Sequence, residues 1–389
     1  MASTHMAFVL RFIGWFLLTA ATTSVLLTAL AVLWRRFRRC VALPAAGPPA
    51  TILKPLCGDE PRLYENLRSF FLQDYASYQL VFGVRDAADP ALTVVRRLQQ
   101  EFPDQDVAIV INPCVHGINL KVSNLINIMA VARHDLLVLA DSDIEVAPNY
   151  LRRVVAPLAQ PDVGIVTCLY RGRALGGMWS RLGTQFIDEW FLPSVYLAHA
   201  FGSTRYAFGA TIALRRDTLS AVGGFEALAN IVADDYRLGE LTRQQGLRTV
   251  LSECEVRTDV TEHRLADLAA RELRWMRTIR SVTPLSYAFT FVCFTVPIIA
   301  LGLALTGLRE PTLCLAAAAL TGRLVLHFAG RLQSAPPRTL LASLKHFALF
   351  PVRDALSLLL WACAFGGTKV HWRGQQMKID PQSATRSPA

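Results

Sequence analysis

The sequence Leu-Leu-Val-Leu-Ala-Asp-Ser-Asp, residues 136–143, decides the fold class. Its first five residues are apolar, and such a short run bounded by polar residues is typical of a buried strand. Asp141 and Asp143 follow at the carboxyl end of this strand, where open α/β sheets bind their ligands. Two carboxylates around a serine can offer oxygens to a hard cation, so the segment is a candidate metal site. A helix cap at Asp141 and a solvated Asp143 are the alternative interpretation.

Apolar runs typical of strands alternate with helical patterns on both sides of this segment. The predicted strands are residues 51–53, 79–84, 107–111, 136–140, 163–169 and 208–214, and the predicted helices are 61–73, 90–102 and 122–132. Such alternation indicates an α/β domain with a mainly parallel sheet flanked by helices.

The composition places part of the chain in a membrane, since 52% of the residues are hydrophobic and 18% are charged. Residues 7–34 contain one charge, Arg11, and exceed the roughly 20 residues that cross a bilayer. A cleaved signal peptide is the alternative, but Trp34 and Arg35 stand where small residues would precede a cleavage site. We therefore expect a retained transmembrane anchor.

The basic cluster that follows the anchor predicts the topology. Arginines are concentrated directly behind the anchor, at positions 35, 36, 38 and 39, whereas only Arg11 lies at its other end. This asymmetry places the chain behind the anchor in the cytoplasm. We expect much of the net charge of +10 to contact anionic lipid headgroups, and no motif accompanies it that would indicate nucleic-acid binding. The eight cysteines form no CxxC pair, so they indicate neither a disulfide framework nor a zinc site, which fits a reducing cytoplasm.

Three further apolar blocks lie in the C-terminal part of the chain. Residues 286–308 are a plain spanning candidate, and residues 313–332 are a second one, interrupted by Arg323 and His327. Residues 347–365 contain Arg353 and Asp354 and are interpreted either as a spanning helix or as a re-entrant segment. The sequence leaves that choice open.

Residues 178–201 form an aromatic segment with few charges, and Trp190 lies near its centre. The segment either covers the sheet or lies at the membrane interface, where aromatic rings are favoured. In the second interpretation a lipid acceptor would enter beside it, with Trp190 on the acceptor side.

Four motifs in a fixed order carry a family resemblance. They are Val-Arg-Asp at 84–86, Asp-Ser-Asp at 141–143, Asp-Asp-Tyr at 234–236 and Arg-Glu-Leu-Arg-Trp at 271–275. The order of these motifs resembles the motif order of the membrane-bound, family-2-type glycosyltransferases, which have a GT-A domain. Within that group the chain is most similar to the ceramide glucosyltransferase family, through Lys-Pro-Leu at 54–56 and the stretch 117–124. The strings VRDAADP at 84–90 and ADDYRLG at 233–239 resemble the bacterial hopanoid-biosynthesis branch.

The resemblance implies roles for the acidic residues. Asp235 would be the general base, with Asp234 as its supporting residue on the acceptor side, and the pair would raise each other's pKa. Asp141 and Asp143 would hold Mg²⁺ or Mn²⁺, Asp143 being the preferred direct ligand. Asp86 would bind the uracil ring and so select a UDP-sugar. A turn-forming Asp86 and a helix-dipole role for Asp234 and Asp235 are the alternatives.

The resemblance also implies roles for the basic and aromatic residues of the UDP-sugar site. Lys54 and Lys121 would bind the nucleotide or its phosphates, and Asn124 would hold the loop around Lys121. Arg274 would grip the diphosphate with its two-pronged guanidinium, and Trp275 would form the floor of the sugar or acceptor pocket. The family often has Gln where Arg271 stands, so the role of Arg271 stays open, and a basic interfacial helix is the alternative for this whole motif.

The implied activity is inverting transfer of N-acetylglucosamine from UDP-GlcNAc to a membrane lipid hydroxyl, with bacteriohopanetetrol as the acceptor. The runner-up is transfer of glucose from UDP-glucose to ceramide. Two rival functions are those of a processive polysaccharide synthase and of a non-catalytic sensor of nucleotide sugars. The expected location is the bacterial inner membrane, with several spans and a cytoplasmic catalytic domain.

The domain organisation predicted from these patterns runs in seven segments. We expect vector-derived residues at 1–6, an anchor at 7–34, a basic linker at 35–49, the GT-A domain at 50–260, an interfacial helix with the RxxRW motif at 261–285, membrane segments at 286–375 and a tail at 376–389.

Overall fold

A computed structural model describes residues 2–37, 47–331, 340–372 and 375–378. The described chain divides into two compact units. One, which we call the sheet unit, contains residues 47–173 and 203–261. The other, the helical unit, contains the described parts of residues 2–37, 174–202 and 262–378. Most of the predicted linker 35–49 and of the predicted tail 376–389 lies outside the described residues.

An eight-stranded sheet forms the centre of the sheet unit, in the order β3-β2-β1-β4-β7-β6-β8-β5. The strands are β1 (Ala50–Pro55), β2 (Tyr78–Val84), β3 (Asp106–Ile111), β4 (Leu136–Ala140), β5 (Ile144–Glu145), β6 (Val163–Ala174), β7 (Thr211–Arg215) and β8 (Arg248–Val260). Strands β1 to β4 pair in parallel, so their carboxyl ends meet at one edge. Strand β7 runs antiparallel to both β4 and β6, and β5 runs antiparallel to β8.

Helices cover both faces of this sheet, as the sequence pattern predicts. The α-helices of the unit are Leu63–Phe71, Ala91–Glu101, Leu120–Met129, Tyr150–Val155, Arg216–Ala221 and Asp234–Gln244, and short 3₁₀ helices span Ala156–Ala159 and Glu226–Leu228. Neighbouring strand residues point to opposite faces, so Ile52 joins one hydrophobic cluster and Leu53 the other. The central strands are therefore buried on both faces, which explains their continuous apolar sequences.

The helical unit contains the N-terminal helix Ala2–Phe37 and most of the C-terminal part of the chain. Its other helical segments are Met178–Phe186, the π-helical Ile187–Phe191, Leu192–Ala200, Leu265–Val282, Pro284–Phe289, the 3₁₀ Thr290–Cys293, Thr295–Thr306, Glu310–Arg331, Leu340–Phe347 and Phe350–Ala364. A hairpin of β9 (Lys369–Trp372) and β10 (Gln375–Lys378) follows. Residues 178–201, which the sequence places inside the 50–260 domain, thus group with the helical unit and not with the sheet.

The N-terminal helix packs closely on its neighbours in the helical unit through small residues. A Cβ added at Gly14 would lie 2.7 Å from Thr306 Cγ2, and one added at Gly302 would lie 2.6 Å from Leu18 Cγ. Glycines at such contacts let helix backbones approach each other, which is how helices associate where water provides no driving force.

Three described helices are long and apolar enough to cross a membrane, or up to four if a bent pair forms one span. The three are Thr4–Arg35, Glu310–Gly330 and Ser343–Ala364. The plain span expected over residues 286–308 is corrected, because Pro284–Cys293 and Thr295–Thr306 meet at a bend of 75°. Pro297 lies in the first turn of the second helix and has no N–H to bond the carbonyl of Cys293, so a continuous helix is disfavoured at that point.

Candidate active site

Two lysines hold Asp141 at the carboxyl edge of the sheet. Lys54, at the end of β1, is fully buried, and its Nζ donates a hydrogen bond to the backbone carbonyl of Asp141. Lys121 lies in the first turn of its helix, and its Nζ is 2.5 Å from Asp141 Oδ1. Lys121 Nζ also donates to the carbonyl of Gly209 at 3.4 Å. The first carboxylate of the Asp-Ser-Asp motif is therefore paired with a cation and fixed at its backbone.

Asp143 is positioned by β8, which is distant in the sequence. Its Oδ2 accepts a hydrogen bond from Thr258 Oγ1 at 3.1 Å, and its carbonyl accepts one from the backbone N–H of Asp259 at 3.1 Å. The pairing of β5 with β8 begins at the next residue, Ile144. Asp143 thus directly precedes a strand pair and is held in place by two hydrogen bonds to β8.

Asp235 lies in the first turn of the helix Asp234–Gln244 and faces a glycine. Asp235 Oδ2 accepts a hydrogen bond from the N–H of Gly209 at 2.8 Å, and Oδ1 accepts one from the N–H of Tyr236 at 2.7 Å. Since Lys121 bonds the carbonyl of the same Gly209, the backbone of this one residue links the base candidate to the lysine that pairs with Asp141.

Asn119 connects Asp234 to the helix that carries Lys121. Its Oδ1 caps that helix by accepting from the N–H of Val122 at 3.1 Å. Its Nδ2 donates to Asp234 Oδ1 at 3.2 Å and to the carbonyl of Ile231 at 2.8 Å. One buried amide therefore fixes the lysine helix and the Asp-Asp-Tyr motif against each other.

Burial and the density of charge shift the pKa values of these groups. Burial lowers the pKa of Lys54 to about 7, although Asp141 and Asp143 oppose the shift. Burial also raises the pKa of Asp143 to about 7, with further contributions from the carboxylates of Asp141 and Glu60. Both directions reflect charged groups removed from water and crowded together.

Burial and neighbouring charges also shift the pKa values of the two carboxylates of the Asp-Asp-Tyr motif and of Lys121. Burial raises the pKa of Asp234 to about 6 against the opposing effect of Lys121, and the neighbouring Asp235 raises it further. The pKa of Asp235 is also raised, mainly by burial. Burial would lower the pKa of Lys121, but Asp141 and Asp234 outweigh it, so the pKa is raised and this lysine stays charged.

These shifts predict the pH dependence of any reaction that needs the Asp234–Asp235 pair as a base. A carboxylate acts as a base only when deprotonated, and the pKa values of both carboxylates are raised, so turnover should fall at a pH above the usual Asp value of about 4. The Asp234→Asn variant removes a like charge and should move this acidic limb to lower pH. A pH profile of turnover for both proteins checks this, and a wild-type limb near pH 4 would contradict it.

Gly209 lies where any side chain would press on the site. A Cβ at this position would be 3.3 Å from Asp235 Oδ2 and 3.4 Å from Lys121 Nζ. We expect Gly209→Ala to displace both groups by a few tenths of an ångström and to lower turnover about tenfold, since small misplacements of reacting groups are costly. Steady-state kinetics and thermal melting check this. An unchanged turnover, or a loss fully explained by a lower melting temperature, would contradict it.

Asp86 and Asn124 make contacts other than those that the family resemblance implies. Asp86 follows β2, is exposed, and its Oδ1 accepts from the N–H of Ala88 at 2.9 Å, so it forms a turn in this structure. Among the described residues, the Asn124 side chain makes no hydrogen bond to the loop around Lys121. Instead, its Nδ2 donates to the carbonyl of Gly83 at 2.8 Å and ties the lysine helix to the end of β2. A Cβ at Gly83 would be 2.1 Å from Asn124 Oδ1, so this close approach requires glycine.

Sequence reasoning missed four contributors to the site: Glu60, Asn119, Gly209 and Thr258. Asn119 had a detectable signal, because an Asn directly before a helix is a common N-cap. Gly209 and Thr258 act through a backbone amide and a hydroxyl from distant segments, which no local pattern indicates. Glu60 acts by its charge on Lys54 and Asp143.

The arginine–tryptophan motif lies in the helical unit, on the helix Leu265–Val282. The Arg271 Nη1 is 2.8 Å from Glu262 Oε1, and its guanidinium carbon lies 5.0 Å from the centre of the Trp275 ring. Arg271 Nε and Nη2 are buried and have no hydrogen-bond partner among the described residues. Two buried donors of this kind have the chemistry to bind an anion.

Trp190 packs inside the helical unit. Its ring centre lies 4.5 Å from that of Phe186 and 6.0 Å from that of Phe294. The Phe186 ring in turn lies 6.1 Å from Trp275. The aromatic segment and the arginine–tryptophan helix therefore share one aromatic cluster.

The residues of the Asp-Ser-Asp motif fit a divalent cation. Asp143 is partly buried among carboxylates that raise its pKa, and a cation beside it would relieve that repulsion. Asp141 already has an ammonium partner in Lys121. Asp143 is therefore the better direct ligand of the two, with an all-oxygen donor set suited to Mg²⁺ or Mn²⁺.

Comparisons with known proteins identify the family and the fold of the chain. A family model described as glycosyl transferase family 21 matches residues 14–385. Ceramide glucosyltransferase 1 and ceramide glucosyltransferase 3 of Caenorhabditis elegans are 26% and 23% identical over 206 and 241 residues, covering 53% and 61% of this chain. The chain spans about half the length of these relatives, 44% and 52% respectively. A solved structure of the mannosyltransferase PcManGT from Pyrobaculum calidifontis, in complex with GDP-Man and Mn²⁺, is 21% identical, with a TM-score of 0.54 over 92% of this chain and 98% of that one. The predicted GT-A fold is thereby confirmed.

Proposed function

The chain belongs to glycosyl transferase family 21, and we propose that it is an inverting glycosyltransferase that moves a sugar from a UDP-sugar to the hydroxyl of a membrane lipid. The observation that carries the proposal is the linkage of three motifs at one edge of the sheet. Asp141 pairs with Lys121, Lys121 bonds the backbone of Gly209, and Gly209 bonds Asp235. The residues proposed to bind the leaving group and the residue proposed to remove the proton are thus linked by hydrogen bonds through Lys121 and Gly209.

In this proposal Asp235 takes the proton of the acceptor hydroxyl. The N–H groups of Gly209 and Tyr236 orient its carboxylate, and burial raises its pKa toward the pH at which it must act. Asp234 supports it through charge and through Asn119. Lys121, which keeps its charge, counters the repulsion within the pair.

The donor side follows from the remaining groups of the sheet unit. Asp143, with Asp141, would hold Mg²⁺ or Mn²⁺, which supplies neutralisation of the diphosphate charge when bound. Lys54 fixes the Asp141 backbone and so keeps the motif in place. Asp86 is exposed and able to leave its turn to bind the uracil ring of the nucleotide.

The helical unit would bind the membrane, and it carries the remaining residues that the family resemblance implies for the substrates. We assign Arg271 and Arg274 to the diphosphate and Trp275 to the sugar or acceptor, with Trp190 on the acceptor side. The apolar helices support insertion into a bilayer. The arginines at positions 35, 36, 38 and 39 support a cytoplasmic catalytic part. We propose the bacterial inner membrane as the location because of the resemblance to the bacterial branch.

For the specific substrates we propose UDP-GlcNAc and bacteriohopanetetrol, on the strength of the strings VRDAADP and ADDYRLG. A second candidate pair is UDP-glucose and ceramide, which the names of the relatives favour. The two pairs differ in both donor and acceptor, so one experiment separates them.

That experiment incubates purified protein in detergent with each of the four donor–acceptor combinations and detects glycolipid by mass spectrometry. The proposal expects product from UDP-GlcNAc with the hopanoid. Product only from UDP-glucose with ceramide would establish the second candidate. UDP release without any glycolipid would contradict a lipid acceptor, and polymer formation would indicate a polysaccharide synthase.

A further inference from the structure

A second cluster of ionisable groups is buried in the helical unit. Its members are Gln185, Glu189, Arg323, His327 and His346, each less than a tenth exposed. They come from three parts of the chain: residues 185–189, the helix Glu310–Arg331, and the helix Leu340–Phe347. Glu189 lies in a π-helical turn, a feature found frequently at functional sites.

The hydrogen bonds of His327 define which of its nitrogens faces the cluster. Nε2 lies 3.1 Å from the carbonyl of Ser343, and a carbonyl only accepts, so Nε2 carries a proton and donates it. Nδ1 lies 2.7 Å from Glu189 Oε1. A metal-ligating histidine usually donates its other ring N–H to a carbonyl or a carboxylate, so the bond of Nε2 to Ser343 leaves Nδ1 as the nitrogen of His327 that is available to an ion.

A second histidine and the two oxygens of Glu189 complete the arrangement. His346 Nδ1 lies 3.7 Å from Glu189 Oε1, and the ligand atoms of the three residues all lie within 4.8 Å of one another. Glu189 Oε2 faces the other way, 3.0 Å from Arg323 Nη2. One carboxylate oxygen is thus directed at the histidines while the other is held by an arginine.

Gln185 gives an independent indication of a ligand at this position. Its Nε2 donates to the carbonyl of His346 at 2.7 Å and lies 3.1 Å from His346 Nδ1. Its Oε1 is buried and has no hydrogen-bond partner among the described residues. A buried acceptor without a partner is costly, and a bound ion beside it is one explanation. Because the same side chain contacts His346, its amide oxygen is a candidate fourth ligand.

We propose that Glu189, His327 and His346 bind a zinc ion, with Gln185 Oε1 as an additional oxygen ligand. Two imidazoles and a carboxylate suit zinc by donor type, and zinc–nitrogen and zinc–oxygen bonds of about 2.0–2.2 Å place tetrahedral ligands roughly 3.3 Å apart. The separations of 2.7 and 3.7 Å lie on either side of that value. On binding the ion, His346 Nδ1 would give up its contact with Gln185 Nε2, which would keep its hydrogen bond to the His346 carbonyl. The ion would join the three segments of the helical unit.

This site is separate in its residues from the Asp-Ser-Asp motif and does not depend on the proposed function. Its competitor is a proton: a doubly protonated His327 would donate to both Glu189 and Ser343 with no metal present. The zinc-bound state should retain its ion in a weak chelator and should be stabilised by added metal. The protonated state should do neither.

The first test measures metal content. Full-length protein without a polyhistidine tag is purified in detergent, dialysed against EDTA to remove weakly held ions, and analysed for zinc by mass spectrometry. We expect about one zinc per chain in the wild type and in Asp143→Ala. His327→Gln and His346→Gln should each lose it, whereas the exposed His263→Gln should retain it. Zinc at background level in the wild type, or equal zinc in all variants, would overturn the proposal.

The second test covers the case in which the histidine variants fold poorly. Metal-free wild-type protein is titrated with Co²⁺, which should give the visible absorption of a tetrahedral nitrogen–oxygen site and should be displaced by Zn²⁺. Zinc should also raise the melting temperature of the metal-free wild type. A featureless cobalt spectrum together with an unchanged melting temperature would assign the cluster to the protonated state.

Discussion

Replacing Asp235 by Asn is expected to reduce turnover by at least about 10²-fold while leaving UDP-sugar affinity intact. Asn preserves the shape of the side chain but cannot take a proton. One of its polar atoms also becomes a donor, which repels either the N–H of Gly209 or that of Tyr236. Steady-state kinetics of lipid glycosylation and calorimetric titration with the UDP-sugar measure the two quantities separately.

The matched control for this variant is Asp135→Asn, the same chemical change at a side chain that is 93% exposed. The control should keep both turnover and affinity. Near-normal turnover in Asp235→Asn would remove Asp235 from the role of base, and Asp234→Asn would then be the next variant to examine.

The second large effect is expected at the metal. Asp143→Ala should lower turnover on the order of 10³-fold, because a bound cation contributes several kcal/mol of stabilisation to a departing diphosphate. In the wild type, EDTA should abolish transfer and Mn²⁺ or Mg²⁺ should restore it, whereas the variant should respond poorly to either ion. Initial rates over a metal titration give the comparison.

Asp217→Ala is the control for this variant, since its carboxylate is 80% exposed on the surface of the sheet unit. It should behave as the wild type at every metal concentration. Full activity of the wild type in EDTA would exclude the metal from the reaction. A variant with normal metal response would exclude Asp143 as its ligand.

The parallel half of the sheet could be predicted because its strands are buried on both faces. Residues 136–140 were predicted with their observed bounds, and β1, β2 and β3 within one residue at most ends. Strand β8 was missed because its exposed and buried residues alternate and it carries Glu253, Glu255 and Arg257, so it has no continuous apolar run. The bend in residues 286–308 was missed because hydropathy does not register the position of Pro297.

The site could be predicted in its residue types but not in its connections. The motifs identified Asp141, Asp143, Asp234 and Asp235, and the structure places them in one unit with Lys54 and Lys121. The contacts that orient them come from Thr258, Asn119 and Gly209. Such contacts depend on how the strands pair and on where a backbone amide points, and no sequence period encodes either property.

The central claim is that this carboxylate cluster transfers a sugar with inversion onto a lipid hydroxyl. The most direct measurement is the anomeric configuration of the glycolipid, determined by NMR after reaction of the purified protein with its UDP-sugar, Mn²⁺ and lipid. The account predicts a β-linked product, one UDP released per lipid glycosylated, and at least about 10²-fold less product from Asp235→Asn under the same conditions. An α-linked product, or UDP release without glycolipid, would contradict it.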